Sequence, residues 1–241
     1  MPDQTRWLSG RVAVVTGASR GIGRATAEAL AKAGVHVVMA ARNGEALDAV
    51  SASIRDAGGA ATPVLTDVSR AEEVGRLFTV AEGIGPPTAL VYAAGVLSRM
   101  PFEETTDRTW HETLGVNLTG AFLCCRAAFP AMRRAGGGRI VTIASLSGIY
   151  ATEKFAGLAA YNVSKYGVVG LMEAIAVEGR EHGISAFCIS PGAVDTEMLH
   201  RANPNLRPGL TPGDVAELIV ALLDKPWAAA SGANIPLFSN A

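Results

Sequence analysis

The chain has 241 residues, of which 49% are hydrophobic, 6% aromatic and 18% charged. This length suits one large domain, because single cores grow to roughly 250 residues before they split, and the composition excludes a disordered chain. The formal net charge of −1 gives no indication of a nucleic-acid-binding or membrane-surface protein. We therefore predict a single domain over residues 1–241.

The three cysteines, Cys124, Cys125 and Cys188, are an odd number with two of them adjacent. They make no disulfide framework and lack the Cys-x-x-Cys spacing of a zinc site, so we expect buried, reduced thiols and no metal. Residues 1–10 contain no apolar signal-peptide run, and apolar stretches such as Ala89–Leu97 are too short to span a bilayer. The sequence therefore predicts a cytoplasmic protein with neither a membrane nor a nucleic acid as partner.

Residues 11–30 predict a strand, a tight turn and a helix. An apolar run at Val12–Val15 leads to glycines at positions 17, 21 and 23, where a helical pattern begins. Gly17 permits positive φ, the missing Cβ of Gly21 leaves room for a pyrophosphate, and Gly23 allows close packing of helix and strand. Free N–H groups at the start of the helix would face the anion. Such turns also use glycine for purely steric reasons, so this triplet alone is weak evidence.

Further β-α units follow along the chain. Strands are predicted at 35–40, 60–66, 89–94, 139–144, 184–190 and 233–238, and helices at 45–56, 71–82, 107–134, 161–182 and 213–224. Ser69 is expected to cap the helix that begins at residue 71. The Pro- and Asn-rich segment 195–212 has the composition of a substrate lid. The alternation predicts an α/β, Rossmann-like, doubly wound parallel sheet of about seven strands with helices on both faces.

Tyr161 and Lys165 lie four residues apart on a predicted helix, so they share one face. A phenol titrates near pKa 10, and a neighbouring ammonium favours the phenolate. Lowering that pKa to about 7 requires about 4 kcal/mol, which we assign to this cation together with the positive ring of a bound cofactor. The pair could then act as a general acid and base at neutral pH. Such a pair is common on helices, and alone it favours a solvated or structural role.

A set of motifs resembles, in order and spacing, the single-domain type of the short-chain dehydrogenase/reductase family. The set comprises Thr16-Gly17-Ala18-Ser19-Arg20-Gly21-Ile22-Gly23, Asp67, Asn117, Ser145, Tyr161-Asn162-Val163-Ser164-Lys165 and Pro191-Gly192 with Thr196. The match runs from Arg11 to Thr196. Each motif is weak by itself, but chance would rarely place all of them at the predicted strand ends. Within the family, the chain is similar to 3-oxoacyl carrier-protein reductases and carbonyl reductases.

The resemblance implies a role for each of four catalytic residues. Tyr161 would exchange a proton with the substrate oxygen, and Lys165 would lower the Tyr161 pKa and hold the nicotinamide ribose. Ser145 would hydrogen-bond the substrate oxygen, which stabilises a developing alkoxide. Asn117 would hold a water that relays protons through Lys165. Plainer roles remain open at this stage, with Ser145 as only a helix cap and Asn117 as only a buried amide bonded to backbone.

The end of the second strand indicates the cofactor. A site that prefers NAD places a carboxylate there to bind the ribose 2′-OH, but this strand ends Ala40-Ala41-Arg42. Arg42 and Arg20 would instead bind a 2′-phosphate, so we predict NADP(H), although both could be solvated surface arginines. The predicted cofactor-binding residues are Gly17, Ser19, Arg20, Gly21, Ile22, Gly23, Arg42, Asp67, Val68, Ala94, Gly95, Tyr161, Lys165, Pro191, Gly192 and Thr196. In similar proteins, the position of Asp67 contacts the adenine.

The chain departs from the family pattern at three places. The usual Asn-Asn-Ala-Gly after the fourth strand is Tyr92-Ala93-Ala94-Gly95, which removes an amide that ties neighbouring strands and predicts lower local rigidity. The usual Asp-Gly-Gly after the last strand is missing, so a dimer through the two long helices is expected more firmly than a tetramer. The third departure is a wider gap between Ser145 and Tyr161.

Ser147 stands nearer the family's usual distance from Tyr161, but Ser145 follows the strand directly, and we predict Ser145 as the catalytic serine. The widened loop, residues 146–160, is expected to bring four side chains toward the site and to shape the pocket. These are Tyr150, Lys154, Phe155 and Leu158.

These observations predict an NADP(H)-dependent oxidoreductase that moves a hydride between the nicotinamide and a ketone, an aldehyde or a secondary alcohol. One form is a 3-oxoacyl-type reductase of acyl thioesters, with Arg133, Arg134 and Arg139 meeting an acidic carrier protein, although arginines at a helix end also complement its dipole. The same residues are equally compatible with a polyketide-tailoring or xenobiotic carbonyl reductase. Two alternatives are a nucleotide-sensing, non-catalytic protein, which the intact catalytic set disfavours, and a lyase or epimerase on the same fold.

Overall fold

The computed structural model describes residues 7–152, 154–225 and 227–239. Within these residues, seven strands form one parallel sheet in the order β3-β2-β1-β4-β5-β6-β7. The strands are β1 Val12–Thr16, β2 His36–Ala41, β3 Ala60–Leu65, β4 Pro87–Tyr92, β5 Gly138–Ile143, β6 Ile184–Pro191 and β7 Asn234–Leu237. The predicted doubly wound α/β sheet is confirmed.

Helices cover both faces of the sheet. They are α1 Gly21–Lys32, α2 Gly44–Asp56, α3 Ala71–Ile84, α4 Asp107–Leu114, α5 Gly120–Arg134, α6 Ala159–Gly179, α7 Glu197–Ala202 and α8 Pro212–Asp224. A π-helical turn, Gly115–Thr119, joins α4 to α5. The predicted helix 107–134 is therefore one helical region with a widened turn in its middle, which hydrophobic periodicity did not indicate.

The core has two halves because parallel strands are buried on both faces. In β1, Ala13 and Val15 pack with α1, α2 and α8, whereas Val12 and Val14 pack with α3, α5 and α6. All three cysteines are buried and unpaired, as predicted. Of the described helices, only the 107–134 region has the length and apolar composition of a membrane span, and 44% of its most apolar stretch is buried inside the protein.

One local prediction is wrong. Ser69 does not cap α3, whose N-cap residue is Arg70. The Ser69 hydroxyl instead donates to Asp67 Oδ1 at 2.7 Å, because the carboxylate closes a tight turn just before the helix. Segment 195–212 contains α7, whose first turn is capped by the Thr196 hydroxyl through the Leu199 N–H. Strand limits differ from the predictions by one or two residues.

The order of the strands positions the site. β1 lies between β2 and β4, so the chain leaves the sheet centre in one direction after β1 and returns on the other side with β4. In open parallel sheets, ligands bind at such a reversal, outside the carboxyl ends of the strands.

Candidate active site

A cleft of about 1640 Å³ crosses the carboxyl ends of the strands. It exceeds the roughly 300–1,000 Å³ of ordinary small-ligand pockets and can accept a dinucleotide together with a substrate. All sixteen predicted cofactor-binding residues and Ser145 line it. The fourth predicted catalytic residue, Asn117, lies behind the wall and is fully buried.

The glycine turn fixes the floor of the cleft between β1 and β4. Gly17 has a φ of 67°, and a Cβ there would lie 2.8 Å from the carbonyl oxygen of Ala93. The Thr16 hydroxyl accepts hydrogen bonds from the N–H groups of Ala93 and Ala94, both at 3.2 Å. A Cβ on Gly23 would overlap the Gly17 carbonyl, so the predicted close packing of helix and strand is confirmed.

The start of α1 can accept an anion. Its N-cap residue, Arg20, makes no side-chain cap, and the described first turn contains no acidic residue. The N-termini of α2 and α8 are, in contrast, capped by Asn43 and Thr211. Uncapped N–H groups and the helix dipole favour a phosphate. These residues therefore fit the phosphates of a dinucleotide.

Opposite charges meet at the end of β2. The strand ends at Ala41, which lines the cleft, and Arg42 follows as an exposed side chain. The Asp67 carboxylate accepts hydrogen bonds from both the N–H and the hydroxyl of Ser69. Burial opposes its ionisation, but these bonds and the charges of Arg42 and Arg70 prevail and lower the Asp67 pKa. The side chain is therefore an anionic acceptor at neutral pH.

An ion pair ties segment 195–212 to the glycine turn. Arg20 pairs with Glu197, the first residue of α7, and Arg201 pairs with the same carboxylate. The methyl group of Thr196 lies 3.3 Å from where a Cβ on Gly21 would be. The cleft is thus bridged above the glycine turn, and the predicted phosphate ligand Arg20 is already engaged by a carboxylate.

Three predicted catalytic residues meet at the end of β5. Tyr161 and Lys165 project from α6 and are only 8% and 5% exposed. The side chain of Ser145 lies close enough to the Tyr161 hydroxyl to interact with it. The Lys165 ammonium donates to the Ile143 carbonyl at 2.8 Å and lies 5.6 Å from the centre of the Tyr161 ring. Ser145 rather than Ser147 is thus the serine paired with the phenol.

The protein's own groups do not lower the Tyr161 pKa, and the lowering expected from Lys165 together with a bound cofactor remains a prediction. Burial raises the Tyr161 pKa above its usual value, and the hydrogen bond with Ser145 offsets only part of that rise. Burial also lowers the Lys165 pKa to about 8. Helix spacing put the two side chains on one face, but the ammonium points to a backbone carbonyl. Tyr161 is therefore a protonated phenol at neutral pH, which is the form that can donate a proton.

Asn117 sits in the π-helical turn and joins two elements of the site. Its Nδ2 donates to the Val96 carbonyl and to the Ser164 hydroxyl, each at 3.0 Å, while its Oδ1 accepts from the Val96 N–H at 2.8 Å. Both amide N–H donors are thus used. The amide holds the loop after β4 against α6, and the water relay implied by the resemblance remains a prediction.

Tyr92 anchors the end of β4 to the π-helical turn. Its buried hydroxyl donates to the Val116 carbonyl in the π-helical turn. Gly120 lies against that hydroxyl, where any Cβ would collide with it. This bond and the Thr16 bonds tie β4 to its neighbours, so the lower rigidity that we expected from the missing asparagines does not follow.

Tyr92→Phe should lower the free energy of unfolding by about 1–3 kcal/mol, because the buried Val116 carbonyl loses its partner. Chemical denaturation measures this change. Tyr166→Phe is the matched control, since its hydroxyl donates to the Ile149 carbonyl from an exposed position and should cost less. Equal effects in both variants would contradict the anchoring role of Tyr92.

Sequence reasoning missed several supporting groups. Ser164 stands inside the Tyr-Asn-Val-Ser-Lys motif, so its position was visible although its bond to Asn117 was not. Glu197 and the Ile143 carbonyl had no sequence signal, because their roles depend on how loops meet across the sheet.

A doubly wound sheet with this serine, tyrosine and lysine beside a glycine-lined cleft defines the class of nucleotide-dependent oxidoreductases. The sequence pattern described as short chain dehydrogenase matches residues 11–207. The chain belongs to the short-chain dehydrogenase/reductase family.

Its similarity to characterised relatives spans most of each chain. D-threitol dehydrogenase of Mycolicibacterium smegmatis is 39% identical over 196 residues, which cover 81% of this chain and 74% of the relative. A 3-oxoacyl-(acyl-carrier-protein) reductase of Synechocystis is 37% identical over 237 residues, or 92% of both chains. A Beutenbergia cavernae crystal structure with NADP at low occupancy, provisionally assigned as an NAD(P)-dependent gluconate 5-dehydrogenase, has a TM-score of 0.90 and 32% identity, covering 98% of both chains.

Proposed function

We propose that this protein is an NADP(H)-dependent carbonyl reductase, which reduces a ketone or aldehyde to an alcohol and can catalyse the reverse oxidation. The observation that carries the proposal is the meeting of Tyr161, Ser145 and the buried Lys165 at the end of a cleft that fits a dinucleotide. A protein that only senses the nucleotide level would need no proton donor such as Tyr161. Membership of an oxidoreductase family supports the same conclusion.

The bound dinucleotide would supply the hydride that reaches the carbonyl carbon. Tyr161 donates its phenolic proton to the carbonyl oxygen, and Ser145 donates a hydrogen bond to the same oxygen as charge develops there. Lys165 places a positive charge 5.6 Å from the phenol ring and stabilises the phenolate that remains. The uncapped start of α1 and the glycine turn would hold the phosphates, and Asp67 would accept a bond from the adenine amino group.

The direct test is the initial rate of NADPH and NADH oxidation over a panel of ketones and aldehydes. We expect turnover with NADPH on at least one chemical group. Protein that binds NADPH but turns over nothing in the panel would contradict the reductase and favour the non-catalytic sensor.

The preference for NADP(H) is supported by the end of β2. Ala41 stands where an NAD site needs a carboxylate, and the exposed Arg42 forms no direct salt bridge within the described residues, while its charge acts on Asp67 at longer range. Arg20 is a weaker candidate for the 2′-phosphate because Glu197 competes for its guanidinium. Arg42 is therefore the principal ligand that we propose for the 2′-phosphate.

Ala41→Asp should shift the ratio of kcat/KM for NADPH to that for NADH toward NADH by about tenfold or more, through repulsion of the 2′-phosphate. The ratio is measured at one substrate concentration with both cofactors. Ala57→Asp, which adds the same charge at the exposed C-terminal end of α2, is the control and should leave the ratio unchanged. An unchanged ratio in both variants would contradict the assignment of β2.

The arginines expected to meet an acyl carrier protein do not form one surface. Arg134 pairs with Glu82 at 2.8 Å, and Arg139 stacks over Trp7 while donating to the Leu223 carbonyl. Arg139 is the second residue of β5, at the end of the strand opposite the cleft. These bonds within the protein mean that Arg134 and Arg139 give an acidic carrier no specific support.

We also propose a homo-oligomer built on the long helices. Their outward faces expose apolar side chains, with Phe122 43%, Val163 46%, Tyr166 40% and Val177 69% accessible. A second copy would cover these residues, since exposed apolar patches mark interaction surfaces. The three buried thiols suit a reducing compartment such as the cytoplasm.

A further inference from the structure

We propose that the substrate is a bulky, apolar ketone with a cyclic or aromatic body, and not a polyhydroxylated one. This inference rests on the proposed reductase function. Beyond Ser145 and Tyr161, apolar side chains from three separate segments wall the cleft. They are Leu97 after β4, Ile149, Tyr150 and Phe155 after β5, and Met198 and Leu206 in segment 195–212.

Two of these side chains are large, aromatic and exposed. Tyr150 is 87% and Phe155 42% accessible, and both stand on the widened 146–160 loop. A ligand that covers them removes apolar surface from water, which favours binding by about 25 cal/mol per Å². Sugar-like ligands bring hydroxyl groups to the same surface, so covering it contributes less favourable binding free energy. The exposed rings therefore favour an apolar partner.

The tip of this loop is held in a fixed conformation. Ala151 has a φ of 61°, a left-handed conformation that costs a non-glycine residue about 1 kcal/mol or more. The Thr152 hydroxyl donates to the Ile149 carbonyl at 3.0 Å, and the Lys154 ammonium donates to the same carbonyl at 2.6 Å. These bonds offset the strain and hold Tyr150 at the mouth of the cleft.

Polar side chains around the walls are bonded to the protein itself. Arg99 donates from Nε to the Ala156 carbonyl at 3.2 Å and from Nη1 to the Ala202 carbonyl at 3.4 Å. It thereby joins the loop after β4, the 146–160 loop and the end of α7. The side chains of Lys154 and Thr152 likewise donate hydrogen bonds to a backbone carbonyl of the 146–160 loop. These groups shape the pocket, and its lining is more apolar than polar.

Among the described side chains that line this part of the cleft, few polar groups remain for a polyhydroxylated substrate. In segment 195–212, Asp195 pairs with His200, Glu197 pairs with Arg201, and Asn203 accepts a hydrogen bond from the Asn205 N–H. The hydroxyls of Ser147 and Tyr150 and the exposed Arg207 remain, in addition to the catalytic serine and tyrosine. A buried hydroxyl without a partner costs about 1–3 kcal/mol, so each further hydroxyl on the substrate weakens binding.

The test compares kcat/KM with NADPH for bicyclic ketones such as 2-tetralone and 2-decalone, for polyhydroxylated ketones such as fructose, and for the small ketone butanone. We expect the bicyclic ketones to exceed the polyhydroxylated ones by about a hundredfold. Phe155→Ala should lower kcat/KM for the bicyclic ketones about tenfold and leave that for butanone unchanged. Phe102→Ala is the control, because Phe102 is 80% exposed and does not line the cleft.

Faster turnover of the polyhydroxylated ketones would overturn this inference and leave the reductase function standing. Equal effects of Phe155→Ala and Phe102→Ala would also overturn it. Absence of turnover with every ketone, in protein that binds NADPH, would overturn both the inference and the proposed function.

Discussion

Tyr161→Phe is expected to lower kcat for ketone reduction about a thousandfold, within the range that a positioned general acid contributes. The phenol is the proton donor in the site, and it meets the Ser145 side chain next to the place where the carbonyl oxygen must lie. The ring remains, so packing on α6 is preserved. Single-turnover rates with NADPH measure the loss, and a fluorescence titration checks that NADPH still binds.

Tyr166→Phe provides the control for this experiment. It removes a hydroxyl from the same helix, but that hydroxyl lies outside the cleft and bonds the Ile149 carbonyl. Its turnover should stay close to that of the unaltered protein. Near-normal turnover of Tyr161→Phe would remove Tyr161 from the role of acid, whatever the substrate proves to be.

The fold could be predicted because its signals are local and repeated. Apolar runs such as Val12–Val15, each followed by a glycine or polar turn and a helical pattern, define the β-α units. A parallel sheet with right-handed crossovers then leaves few arrangements open. The π-helical turn could not be predicted, because the groups that meet it and crowd Gly120, the Tyr92 hydroxyl and Val68, come from segments distant in sequence.

The site could be predicted as a set of residues but not as a set of contacts. Spacing alone placed Tyr161 and Lys165 on one face, and the strand end indicated Ser145. The direction of the Lys165 ammonium depends on the Ile143 carbonyl, which belongs to another element. The engagement of Arg20 by Glu197 likewise arises from a contact between two segments far apart in sequence. Contacts between loops that are far apart in sequence therefore could not be predicted.

Lys165→Met should abolish most activity and also remove a pH dependence from stability. The folded protein holds Lys165 with a pKa of about 8, whereas the unfolded chain has the ordinary value of 10.5. Between these values the unfolded state binds more protons at this group, so the contribution of Lys165 to the free energy of unfolding rises with pH. This contribution amounts to about 2 kcal/mol between pH 8 and pH 10. The buried cysteines, whose pKa values are raised, act in the opposite direction in both proteins, so the prediction is that the change of stability over this range is more favourable by about 2 kcal/mol in the unaltered protein than in Lys165→Met.

Chemical denaturation at several pH values measures the effect, and Lys32→Met is the control. Lys32 is exposed at the end of α1, so its loss should leave the rise in place. Catalysis should follow the opposite trend, because the charged ammonium supports the phenolate and is lost as pH rises through about 8. The kcat for reduction should therefore fall above pH 8 while the contribution of Lys165 to stability increases. A constant kcat from pH 7 to about pH 9.5 would contradict the catalytic use of this charge.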